Sequence, residues 1–157
     1  MEDQHNSPTA DGRVLSITKL ISRGPRATLP LLIGTYRSMR QAARMPGFVE
    51  SVVARASSGV GFGVTIWENE ASRQSYVHSG IHGQAAVSAR KLARAHVSCH
   101  VPWDRAELPH WSEWGRILAT NPHIINTKFV GELTDEEKLA GPKHWGFPPP
   151  WHARRRG

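Results

Sequence analysis

A single cysteine, Cys99, is the only thiol in the chain. No intrachain disulfide can form, and no cysteine-rich zinc knuckle can be built. Long apolar runs are missing too. The longest, Leu29 to Ile33, falls far short of the ~20 residues that span a bilayer, so no membrane segment is expected. The opening residues Met1-Glu2-Asp3-Gln4-His5 are polar and acidic, the reverse of a secretory signal, which fits a cytoplasmic protein. There is no GxSxG elbow, Walker loop or dinucleotide GxGxxG. The glycine-rich Gly59-Val60-Gly61-Phe62-Gly63 lies within a hairpin and opens no helix, so it is not a phosphate cradle. Acidic residues are few: 13 Asp and Glu against 20 Lys and Arg give a formal charge of +7.

What is present is 157 residues with nine histidines and six tryptophans. That length suits one domain, and it removes enough surface from water to hold a core without staples. The positive charge is scattered. Arg154-Arg155-Arg156 end the chain, five arginines from Arg23 to Arg44 surround the first helix, and Arg90, Lys91 and Arg94 complement a helix C-terminus. No segment interleaves basic and aromatic residues as a base-stacking platform does, so nucleic acid is not the expected partner.

Residues 1–12 are polar and rich in turn formers, and read as a disordered leader. Arg13 to Ile21 alternates as a half-buried strand. Pro25 to Met45 places Leu29, Leu32, Ile33, Tyr36, Met39 and Ala43 at helical spacing, and Pro46-Gly47 stops it. Phe48 to Ala56 and Val60 to Trp67 form a hairpin across Ser57-Ser58-Gly59. On its second strand Gly61, Gly63 and Thr65 leave one face nearly bare, which implies a bulge or the close approach of another group. From Asn69 to Arg94 a helical stripe of Val77, Ile81, Ala85, Ser88 and Leu92 is expected to be buried, with a break between Ser79 and Gly83. Ala95 to Val101 is a fourth strand.

The order β-α-β-β-α-β predicts an α+β, ferredoxin-like domain over 13–101: one antiparallel sheet with both helices on one face. The second face needs cover, and another copy of the chain is the expected cover. Residues 102–157 form a C-terminal extension, helical and extended, that packs on the body or on a partner. It includes a helix predicted over Arg105 to Ala119, a strand over Thr127 to Leu133, a short helix opening at Thr134, and a polyproline-like arm from Gly141 to Trp151. Trp103, Trp111 and Trp114 read as a core plug or an oligomer contact.

The segment Met45 to Val101 resembles the antibiotic-biosynthesis-monooxygenase-like superfamily of dimeric α+β barrels. The likeness rests on Pro46-Gly47-Phe48 leading into a strand, the hairpin, Trp67-Glu68, and the Ser79-Gly80-Ile81-His82 element. Tyr76 to His82 is also similar to the spheroidene-monooxygenase-like branch. The resemblance implies a homodimer with sheets packed face to face, a pocket between sheet and helices, and a small hydrophobic ligand. Its members include cofactor-free oxygenases, haem enzymes, cyclases and domains without chemistry.

The candidate site follows from the residues. His96 and His100 share a strand face with Ser98; if that face meets the bare face of Gly61, Gly63 and Thr65, these residues line a cavity, the alternative being the wet part of a dimer interface or open surface. Small residues make room, imidazoles move protons near neutral pH, and Trp67 and Tyr76 supply a flat wall. His82 is the candidate general base, with His96 and His100 as auxiliary acid–base groups. His78 and His82 are four apart, but no acidic third ligand stands nearby, so no metal is expected. One imidazole suffices for a haem, and His82, with His78 a turn away, is the candidate ligand. Cys99 reads as a buried, inert thiol. The function expected is a small tailoring enzyme, a monooxygenase or cyclase acting on an aromatic or polyketide-like molecule, without cofactor or with haem. The alternative is a non-catalytic ligand- or haem-binding dimerisation module.

Overall fold

A computed structural model describes residues 12–57, 59–125, 127, 133–146 and 149–155. The leader and most of the strand predicted over Thr127 to Leu133 lie outside the described residues. The chain runs β1 (Val14–Ser22), α1 (Pro25–Ala42), β2 (Phe48–Ser57), β3 (Val60–Trp67), α2 (Glu70–Val77), α3 (Gly80–Leu92), β4 (Ala93–Pro102), α4 (Trp114–Thr120), β5 (His123–Ile125), α5 (Asp135–Leu139) and β6 (Trp151–Arg154). One sheet holds all six strands in the order β5-β4-β1-β3-β2-β6, and every neighbouring pair is antiparallel. The fold is α+β and ferredoxin-like. No helix among the described residues is long and apolar enough to cross a membrane.

Register sorts the side chains onto two faces. Ser16, Thr18 and Leu20 of β1 pair across to Thr65, Gly63 and Gly61 of β3, and to His100, Ser98 and His96 of β4. This is the face beneath the helices. The opposite face carries Leu15, Ile17, Phe62, Val64, Ile66, Val97 and Cys99, each at most 1 % exposed. Fully burying side chains of this kind stabilises the fold by about 1.5–3 kcal/mol apiece.

The extension covers that apolar face. Trp114, Ile117 and Leu118 of α4 belong to the same buried cluster, with Trp103, Trp111, Leu139 and Trp145 packed against it. Chain therefore stands where the sequence reading called for a second copy. Docking is close: a Cβ on Gly115 would lie 2.6 Å from the Gly141 backbone nitrogen, so the two glycines let the main chains touch. The helix predicted over Arg105 to Ala119 is shorter than expected. Pro109 and the capping His110 delay it to a 3-10 turn at Trp111–Glu113 followed by α4. The arm after Gly141 ends as β6, paired to β2 through Glu50–Arg154 and Val53–Trp151.

Two stripe assignments need correction. On α1, Leu29, Ile33 and Tyr36 are exposed, while Ala27, Leu31, Ser38, Met39 and Ala42 face the sheet. Tyr36 instead meets Trp151 edge-on at 5.1 Å. On the second helical stretch the break falls at His78-Ser79, and Ala89 rather than Ile81 is the buried residue of α3. That rotation follows from the break, because α3 starts with a new phase.

Lys19 is 4 % exposed on the extension side of the sheet. Its Nζ donates to the carbonyls of Glu137 (2.8 Å) and Ala140 (2.7 Å), at the negative C-terminal end of α5, and lies 5.7 Å from the centroid of the Phe62 ring. Burial pulls its pKa from 10.5 down to about 8. Between those values the unfolded chain holds a proton that the folded one has released, so folding gains stability as pH rises through that window. Denaturant unfolding should therefore show the protein stabilised by about 3 kcal/mol between pH 8 and 10.5 relative to Lys19→Met. Parallel pH profiles for the two proteins would refute this account of Lys19.

Candidate functional site

Between the helices and the sheet lies a cavity of about 70 Å³. Thr18 and Leu20 of β1, Gly61 and Gly63 of β3, and His96 of β4 form its floor. Thr35, Ser38 and Met39 of α1 form one side, and Tyr76, His82, Ala85 and Ala89 the other. The two glycines play different parts. A Cβ at Gly63 would fall 2.7 Å from the Met39 Cε, so this glycine receives a methionine tip. At Gly61 the nearest atom to such a Cβ is 3.9 Å away, leaving open room.

His82 sits just past the helix break, and its Nδ1 lies 3.0 Å from the Val77 carbonyl. A carbonyl only accepts, so Nδ1 carries the proton and Nε2 keeps its lone pair. Burial lowers its pKa below the usual histidine value; the Val77 bond opposes that, and the charges of Arg73 and His78 add to it. His96, 8 % exposed, is pushed down to about 4 by burial first, then by His82 and Arg90. Its Nδ1 has no hydrogen-bond partner among the described residues. Both rings are therefore neutral at pH 7 and able to accept protons.

Tyr76 is 4 % exposed, with its hydroxyl 2.6 Å from the Ser38 Oγ. Burial raises its pKa to about 12, so it remains a neutral hydrogen-bonding phenol. Its ring stacks on Trp67 at 5.1 Å and stands edge-on to His82 at 4.6 Å. Trp67 is fully buried, and its Nε1 donates to the Thr65 Oγ1 at 2.9 Å.

Of the residues named from the sequence, the fold brings His82, His96, Tyr76, Gly61 and Gly63 together around one space. The others are elsewhere. Trp67 and Thr65 stand behind Tyr76 as a support. Ser98 shares the face but does not line the cavity, and His100 is exposed at the far end of β4. His78 is exposed and lies on the other side of the helix break from His82, so the two histidines do not share one helix face. No group of three metal-ligating side chains occurs among the described residues. Burial raises the Cys99 thiol to about 11, which keeps it un-ionised. Sequence reasoning missed Thr35 and Ser38, because most of the apolar stripe of α1 was read on the wrong face; Met39 was read as a buried stripe residue but not as part of the site. A Thr and a Ser three apart beside Met39 were the available signal.

Arg154 and Arg155 of the basic tail are ion-paired, to Glu50 at 3.6 Å and Glu68 at 2.7 Å. They hold β6 rather than forming a free cationic arm.

Because His96 is buried neutral, the unfolded chain binds its proton first as pH falls below 6.5, so stability drops until about pH 4. Urea titrations should show a loss of about 3 kcal/mol across that window that His96→Gln does not share. If the variant loses just as much, the burial argument is wrong.

No family model and no curated protein matches the sequence. Solved structures do share the fold. SnoaB of Streptomyces nogalater, a cofactor-independent oxygenase, superposes with a TM-score of 0.50 at 17% identity, over 63% of this chain and 99% of its own. Rv0793 of Mycobacterium tuberculosis gives 0.55 at 14% identity, over 60% and 99%. A Caulobacter crescentus protein provisionally assigned as an antibiotic biosynthesis monooxygenase gives 0.53 at 13%, over 61% and 93%. Nearly all of each of these chains matches, and the remainder of this one has no counterpart in them. The chain thus has the fold of the antibiotic-biosynthesis-monooxygenase-like proteins.

Proposed function

We propose that the chain is a small oxygenase that tailors a hydrophobic, aromatic, polyketide-like molecule without a bound cofactor, with His82 as the general base. The observation that carries this reading is the fixed tautomer of His82, whose Nε2 lone pair belongs to a ring lining a buried cavity. SnoaB, of the same fold, is a cofactor-independent oxygenase. In the proposed step, Nε2 takes the proton of an activated ring carbon beside a phenol or enol. The carbanion passes an electron to dioxygen, and the radical pair combines to a hydroperoxide. Loss of water leaves a ketone, so one oxygen atom stays on the product and the other departs in water. Tyr76, held by Ser38, orients the substrate oxygen, and the neutral His96 shares the proton traffic.

Entry of a flat ring requires Met39 to swing away from Gly63, a motion suited to a flexible thioether side chain. At about 70 Å³ the space is well below the ~300 Å³ at which pockets for drug-sized ligands start, so a polycyclic substrate needs that opening and a tetrapyrrole a larger one. No step is given to haem.

Oxygen uptake with polycyclic phenols bearing an acidic ring CH₂ tests the reading. Replacing His82 by Ala should lower kcat by about 10²–10⁴-fold with little change in KM. The acid limb of the wild-type kcat/KM profile should lie below the usual histidine range and vanish in the variant. Unchanged turnover in His82→Ala, or turnover that needs added hemin, would sink it. Saturable binding of such phenols with no oxygen uptake would favour a non-catalytic binding module.

A further inference from the structure

The tryptophans that seal the sheet also wall a space that the proposed chemistry does not use. A cavity of about 440 Å³ lies against β2 and β6, with Trp111, Trp114 and Trp145 around it and Glu50 and Arg154 in its lining. Trp145 stands edge-on to Trp111 at 5.9 Å and tilted to Trp114 at 5.3 Å, so the indoles meet in steep planes. Trp114 is locked in place: its Nε1 donates to the Pro109 carbonyl at 3.1 Å, and its ring packs on Phe62 at 5.5 Å.

Glu50 is the unexplained member. Its Oε2 is buried and accepts no hydrogen bond among the described residues. Arg154 is its counter-ion, but the Nη2 stays 3.6 Å away, beyond hydrogen-bonding reach, on a side chain that is 61% exposed. A desolvated carboxylate oxygen is relieved most by a charged N–H donor, and indole faces attract cations within about 6 Å of the ring centroid. Glu107 lines the same space, as do the imidazoles of His110 and His152, so the ionisable lining is two carboxylates, one guanidinium and two imidazoles, on a protein whose overall charge is positive. The volume lies within the ~300–1,000 Å³ of small-molecule pockets.

We infer that this cavity binds a small organic cation that carries N–H donors on a flat apolar body, an aryl-alkyl ammonium being the class that fits. The ammonium replaces Arg154 at the Glu50 carboxylate, and the ring lies against the indoles. The site is independent of the helix-side cavity, since the sheet separates them.

Phenethylammonium titrated into the full chain at pH 7 and low salt provides the test, followed by the indole N–H resonances. Saturable binding is expected, shifting the Trp111 and Trp145 signals and leaving Trp67 in place. Glu50→Gln should weaken binding by at least about ten-fold. Arg154→Ala should tighten it, because an internal competitor is gone, whereas a purely structural role for the pair predicts weakening. Phenylacetate, with the same body and the opposite charge, should not bind. Equal binding of phenylacetate, wild-type affinity in Glu50→Gln, or weaker binding in Arg154→Ala would each overturn the proposal. Tetramethylammonium binding as tightly as phenethylammonium would overturn the need for an N–H donor. Should Glu50→Gln fail to fold, the exposed Arg154→Ala still decides the matter.

Discussion

Everything in this molecule depends on keeping one face of the β4-β1-β3-β2 sheet dry. Leu15, Ile17, Phe62, Val64, Ile66 and Val97 lie there with almost no contact with water. No two-layer domain of four strands and two helices can cover both sides of its own sheet. The chain meets the constraint with its final third: α4 and its tryptophans spread across the apolar side, α5 caps Lys19, and β6 returns to pair with β2. The same constraint sets the character of the other side. With hydrophobic burial concentrated beneath the extension, the helix side has Thr18, Gly61, Gly63 and His96 on its floor.

Polar groups gain chemistry there because burial isolates them. His96 and His82 are neutral for the same reason that Lys19 is weakened: desolvation penalises the charged form of each. Tyr76 is driven the opposite way and holds its proton. A buried site with neutral bases and a neutral phenol favours abstraction of a proton from an apolar, weakly acidic molecule, and it disfavours binding an ionised one.

The fold was legible because its signals are local. Alternation in β1, the hairpin at Gly59, and the Pro46-Gly47 stop lead directly to βαββαβ. The site was legible in part: strand parity placed Gly61, Gly63 and His96 on one face, and that parity holds along β3 and from Ala95 onward in β4. Helix phase was the weak point. The run from Pro25 to Ala43 is apolar on more than one side, so periodicity alone cannot choose between Ile33 and Leu31, and the polar cavity residues Thr35 and Ser38 were lost with that choice. The break at His78-Ser79 likewise reset the phase of α3 and separated His78 from His82. Least legible was the extension, whose docking rests on contacts between residues far apart in sequence, such as Gly115 with Gly141 and Glu50 with Arg154.

The two outermost strands carry a consequence of their own. β5 spans three residues and β6 four, and they occupy opposite ends of the sheet. A long open edge is a template on which a foreign strand can zip, and short terminal strands blunt it. Arg154 at the end of β6 and Arg155 just beyond it place charge at one of those edges, where charged side chains discourage stacking of further strands. Among the described residues, neither terminal strand therefore offers a long continuous edge.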